Sequence, residues 1–154
     1  MMIKESTIER ILDRLESGVD DAAQEIQDFA EAQPHLMAYL TDEENEAYTE
    51  AERELLIFGA LVIYQSIQDE RFEPAAVGPA LIEEAEGANF KLLEGGRGPF
   101  RDRLTPLFAA SPEEELLAFA EDLVVSEAEE DGITKEAREP LFVSLKTVVD
   151  VLTA

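Results

Sequence analysis

Residues 55–64 are apolar at ten successive positions, so no face of a helix through them carries a charge. Six residues upstream, Thr49 and Glu52 stand in the Thr-x-x-Glu arrangement, in which each side chain satisfies the other's orphan backbone N–H at a helix start. The run therefore lies inside a helix, expected from Thr49 to about Glu70. A helix that is apolar around its whole circumference has to be enclosed by other apolar faces. Ten residues are half of the ~20 needed to cross a bilayer, so the enclosing faces are protein and not lipid. The run predicts a buried central helix, the most buried stretch of the chain, with the remaining sequence packed round it.

The rest of the chain supplies such faces at helical spacing. Ile8, Ile11, Leu12 and Leu15 recur behind a Ser6/Thr7 start, and Gly18 ends that run. A second helix is expected from near Asp20, burying Ala23, Ile26, Phe29 and Ala30 and closing at Pro34. A short amphipathic piece covers residues 36–40, and Thr41 with Glu44 forms a second capping pattern. One helix is expected from about Pro79 to Leu93. Gly95, Gly96, Gly98 and Pro99 make the clearest break in the chain. A short helix over 100–109, perturbed at Pro106, follows. Ser111 as cap, Pro112 at the first helical position and the acids that follow predict a helix burying Leu116, Leu117, Ala120, Leu123 and Val124. Asp131 and Gly132 stop it. Thr134 starts the last helix, whose Leu141, Phe142, Leu145, Val148, Val149 and Leu152 line one face; Pro140 either kinks it or marks its start. No alternating strand pattern of useful length occurs. With 154 residues, 45% of them apolar, the chain can bury one core. The expected fold is all-α: a single compact domain of about six to eight helices over residues 1–154.

The two ends of the chain share short matches in the same order. Asp13, Arg14 and Leu15 recur as Asp102, Arg103 and Leu104. Phe29, Ala30 and Glu31 recur as Phe119, Ala120 and Glu121. Thr49, Arg53, Glu54 and Leu56 recur as Thr134, Arg138, Glu139 and Leu141. One reading is an ancestral three-helix unit copied once, residues 11–67 and 100–152, joined by a connector over 72–98 and packed about a pseudo-twofold axis. The other is chance, because short helical matches are common in a chain rich in Glu, Ala and Leu.

Thirty-six acids face twelve bases, a formal charge of −24. Such a surface repels phosphate backbones and anionic membranes, so neither nucleic acid nor membrane is an expected partner. Basic proteins, cations or concentrated salt suit it, and the acidity is alternatively an adaptation to a saline host. There is no cysteine, hence no disulfide, thiolate nucleophile or Cys-based zinc site. His35 is the lone histidine, and Pro34 separates it from Glu31 four residues upstream, so a helical di-iron pattern is absent. No cofactor motif is present. Residues 1–6 lack a basic region before an apolar one, so no secretory signal is read and a cytoplasmic address follows by default.

Few residues stand out as candidates for chemistry. Lys91, Arg97, Arg101 and Arg103 are one third of the bases and flank three glycines ahead of a helix start, an arrangement able to hold a small anion. The plainer reading is a loop whose arginines pair with local acids. The acidic turn at residues 129–133 fails as a calcium loop, because Arg138 falls where a bidentate acid is required. Glu54 and Asp122 lie nearest to apolar faces, where burial would raise a carboxyl pKa, although a solvated helix face suits both. Val143 and Val151 sit off the main stripe of the last helix and form a candidate interface for a partner or a second copy.

The function these features favour is a non-catalytic protein-interaction module, with no cofactor. One alternative is a small-molecule or anion-binding protein, or an enzyme, using the loop over 91–103 together with carboxylates. A second is an acidic mimic of nucleic acid that binds a basic protein.

Overall fold

The computed structural model describes residues 2–17, 22–41, 48–71, 73–94, 98–130 and 135–153. Among them nine helical segments follow one another: α1 (Glu5–Glu16), α2 (Ala22–Ala32), α3 (Pro34–Leu40), α4 (Glu50–Glu70), α5 (Pro79–Glu94), α6 (Phe100–Arg103), α7 (Thr105–Ala109), α8 (Glu114–Glu130) and α9 (Lys135–Leu152). No strand occurs among the described residues. The molecule is all-α, with one hydrophobic core fed by residues of each of these nine segments.

Local chemistry sets several of these ends. Thr49 Oγ1 accepts from the Glu52 N–H at 3.1 Å, and Glu52 Oε1 accepts from the Thr49 N–H at 2.8 Å. This is the expected capping box, and α4 runs from it to Glu70. Proline opens α3 and α5, where its missing N–H costs nothing. The same property explains a departure over 100–109. Pro106 lies in the first turn of a new helix, α7, and the break falls at Leu104. The start of α8 also differs from expectation. Ser111 Oγ accepts from the Glu113 N–H at 3.1 Å, and the Glu113 carbonyl receives the Leu117 N–H, so Glu113 is the residue at the cap. In α2 only Phe29 of the expected set is fully buried; Ala23 is exposed. The proposed stops and starts at Gly18, Asp20, Glu44, Asp131, Gly132 and Thr134 lie outside the described residues.

Two helices form the centre: α4, which contacts α1, α2, α3, α8 and α9, and α9. The latter packs against α4, α5 and α8, and all nine residues from 141 to 149 are buried. The apolar run in α4 is buried from Gly59 to Tyr64, but Leu55, Ile57 and Phe58 keep partial exposure. The expectation that this run is the most buried stretch is therefore corrected, since Leu141 to Val149 of α9 are buried without a break. The helix continues through Pro140. Val143 and Val151 are 0% and 4% exposed, and as a surface interface they are corrected too: the helices around α9 cover them.

At Gly59 a Cβ would fall 2.8 Å from Leu123 Cδ2 and 2.9 Å from Leu145 Cδ2, so the missing side chain admits α8 and α9 to close packing on α4. Helix α1 rests on α4 and α8 through Ile8, Ile11 and Leu15, while α2 and α3 lie against α4. Glu113 ties these parts together. Its buried carboxylate accepts from the Ile3 N–H at 2.9 Å and from Arg71 Nη2 at 2.9 Å.

Candidate functional site

Of the four residues nominated from the loop over 91–103, the structure describes the side chains of Lys91 and Arg103. Lys91 is exposed on α5. Arg103 is partly buried and forms an ion pair with Glu139 of α9. Arg97 lies outside the described residues, as does the side chain of Arg101. Glu54 and Asp122 are both exposed, the solvated placement. His35 is exposed on the first turn of α3. Among the described residues no cluster of three or more His, Asp or Glu side chains is arranged to hold a metal ion, and no helix is long and apolar enough to cross a membrane.

A different place gathers polar groups round an opening. Helices α1, α2 and α4 enclose a cleft of about 720 Å³, within the range of about 300–1,000 Å³ usual for small-ligand sites. Its floor is Ile11 with the rings of Phe29 and Tyr64, whose centroids are 4.8 Å apart. Four carboxylates, Glu25, Asp28, Asp69 and Glu73, line it against two guanidiniums, Arg10 and Arg14.

Both arginines are engaged. Arg10 Nη2 donates to Asp69 Oδ2 at 2.6 Å, and this bond holds the Asp69 carboxyl below its ordinary range. Arg14 donates to Glu25 Oε1 and to Gln65 Oε1, each at 2.5 Å, and Gln65 Nε2 returns a bond to Glu25 Oε1 at 3.0 Å. The Glu25 oxygen Oε2 is enclosed and has no hydrogen-bond partner among the described residues. Tyr64 donates to Glu73 at 3.3 Å. Burial, with the nearby charge of Glu73, raises the Tyr64 phenol above its usual pKa. The spare hydrogen-bonding capacity of the cleft is thus mostly acceptor, which suits a cation bearing N–H groups. Among the described residues its lining contains no Ser, Thr, Cys, Lys or His.

A second polar assembly runs inside the molecule between α3, α5 and α9. Lys146, with its side chain 3% exposed, donates from Nζ to Asn89 Oδ1 at 2.7 Å and to Asp150 Oδ2 at 2.8 Å. Asn89 donates in turn to Thr147 Oγ1 at 3.2 Å and to Asp150 Oδ2 at 3.0 Å. Tyr39 donates to Glu86, and its oxygen lies 3.1 Å from Ser144 Oγ. Burial comes first, and the bond to Glu86 second, in raising the Tyr39 phenol well above its ordinary pKa. Lys146 and Asp150 match each other's charge and Glu86 accepts from the Tyr39 hydroxyl, which makes this seam a means of fixing the register of three helices.

Sequence reasoning reached neither assembly. The seam had a legible trace: Ser144, Lys146 and Thr147 interrupt a run that is otherwise apolar from Leu141 to Val149. The cleft had none, because Arg14, Glu25 and Gln65 come from three helices and resemble any solvated helix face. No protein-family model matches this sequence, and neither a curated protein nor a solved structure matches the chain.

Proposed function

We propose that this protein is a non-catalytic interaction module whose acidic cleft between α1, α2 and α4 receives a guanidinium or ammonium group of a basic protein. The observation that carries the reading is the Glu25 carboxylate, with one oxygen held by Arg14 and Gln65 and the other enclosed without a donor. A buried acceptor left unmet costs about 1–3 kcal/mol, so a cation in the cleft toward which the Glu25 carboxylate turns recovers part of that cost on binding. The Phe29–Tyr64 floor adds an aromatic face for the same cation. A charge of −24 draws such a partner from a distance and opposes a second copy of this chain. A cysteine-free chain needs no oxidising compartment, so a cytoplasmic setting belongs to the same reading.

Titration calorimetry with arginine-rich, lysine-rich and glutamate-rich peptides tests the proposal. The basic peptides are expected to bind at low salt and to weaken as salt rises. Glu25→Gln, which offers a donor where Oε2 stood, is expected to weaken them about tenfold, the loss of one charge-assisted hydrogen bond. Equal binding by the wild type and the variant would remove the cleft from the mechanism.

The matches between residues 11–67 and 100–152 carry a proposal of ancestry, in which α2 corresponds to α8 and α4 to α9. A rigid superposition that leaves these pairs at different crossing angles would reduce it to coincidence.

A further inference from the structure

Helix α1 separates the cleft from a second depression on its other flank. Residues 10, 11 and 14 face the cleft, and residues 5, 8, 9 and 12 face a groove shared with α8. At 100° per residue these sets fall on opposite sides of the stripe by which Ile8, Ile11 and Leu15 rest on the core. The groove is about 210 Å³, below the small-ligand range and suited to one large side chain. Leu12 and Phe119, both half-buried, form its apolar floor. Glu5 and Glu9 rise on the α1 side, Glu115 and Asp122 on the α8 side, and no basic residue lines it. None of these four acids has an ion-pair partner among the described residues.

We infer that this groove docks a basic amphipathic helix of a partner protein. One large apolar side chain of that helix seats between Leu12 and Phe119, and Lys or Arg residues one turn to either side reach the acids on both rims. The inference rests on the reading of the molecule as a receiver of basic partners, and it adds a second contact of different chemistry. A trough between two packed helices accepts a third helix by ridges into grooves, and an apolar anchor flanked by charge is the usual way a helix lies in such a trough. Charge complementarity selects the occupant. Acids on both rims repel a phosphate, an anionic lipid surface and another copy of a chain that carries −24. Glu115 and Asp122 are seven residues apart, so they offer attachment points two helical turns apart, about 10 Å along the groove.

The test uses the full chain and two fluorescent peptides of identical Lys, Arg, Leu and Ala composition, each about five helical turns long. One gathers its leucines on a single helical face; the other spreads them round the helix. Anisotropy at low salt is expected to show the first binding about tenfold or more tighter, the difference that goes with seating one large apolar side chain. Phe119→Ser and Leu12→Ser should abolish that preference. Because both side chains also touch the core, Glu9→Lys and Asp122→Lys, at exposed positions, provide variants that leave packing alone and should weaken the amphipathic peptide to a similar degree. If both peptides bind equally and all four variants match the wild type, the groove is overturned while the basic-partner reading stands. Binding that is lost in Glu25→Gln but kept in the four groove variants assigns the peptide to the cleft and overturns the groove as well. If neither peptide binds at low salt, both readings fall.

Discussion

The three tyrosines, Tyr39, Tyr48 and Tyr64, all hold their phenolic proton more tightly than a free tyrosine does. For Tyr48 burial is the main cause, reinforced by the charges of Glu86 and Glu52 and opposed by a bond with Ser144, and its pKa is pushed up to about 12. The sign of the linkage follows. In the unfolded chain the phenol ionises near ~10, so the folded state gains from its tighter hold on the proton only while the unfolded chain is also protonated. That contribution is complete below ~10 and is lost as pH rises from there toward about 12. With no tryptophan in the chain, phenolate absorbance reports the tyrosines alone. The folded protein is expected to show less phenolate than the denatured protein at pH values where the latter is already half ionised. Tyr48→Phe should lose less melting temperature than the wild type between about pH 10 and 12. A folded-state titration with its midpoint at the free-tyrosine value would contradict the burial of these rings.

Among the elements, α9 combines the deepest position with the most polar content of any buried run. Ser144, Lys146 and Thr147 are all buried among its valines and leucines, and each meets a polar partner on α3, α5 or α9 itself. Removing one member of a buried ion pair strands the other, at a cost of about 3–5 kcal/mol. Asp150 keeps some contact with water, so Lys146→Ala is expected to fall at the lower end, about 3 kcal/mol. Lys146→Met combined with Asp150→Asn removes both charges and should recover most of that loss. Denaturant midpoints of the single and double variants measure this directly. A loss under about 1 kcal/mol for Lys146→Ala would show the seam to be dispensable, the value of an ordinary exposed pair.

For the whole molecule the dominant electrostatic fact is the charge of −24. The described ion pairs neutralise few of thirty-six acids, and folding brings the remainder closer together than they lie in the open chain. Salt shortens the Debye length from ~30 Å at 0.01 M to ~3 Å at 1 M, so added sodium chloride is expected to raise the melting temperature. A melting temperature that stays flat or falls would mean that the engaged carboxylates at Glu25, Glu113 and Asp150 outweigh the general repulsion. A large rise would fit a saline host, and the preference for basic peptides would then have to be read against that background. The cleft and the groove are local concentrations of this same field, placed on the two flanks of α1.

Sequence alone determined the all-helical class and those helix ends whose causes lie within a turn of the chain. Thr49 and Glu52 cap each other across three residues, Pro34 bounds the helix before it, and Pro79 opens α5 because proline lacks a donor that the first turn does not use. Burial was determined only in part, because periodicity says that a face is apolar and not how many neighbours will cover it. The ten-residue run in α4 is central, packed among α1, α2, α3, α8 and α9, yet α9, with its lysine and its threonine, is the one buried without a break over nine residues. Val143 and Val151 looked spare for the same reason. The tertiary structure alone decided that Arg103 answers Glu139, that Glu113 gathers Ile3 and Arg71, and that Arg14, Glu25 and Gln65 meet round one cleft. Those partners lie from 11 to 110 residues apart, and in a chain where nearly a quarter of the residues are acids, only the packing of helices selects which carboxylate each base will meet.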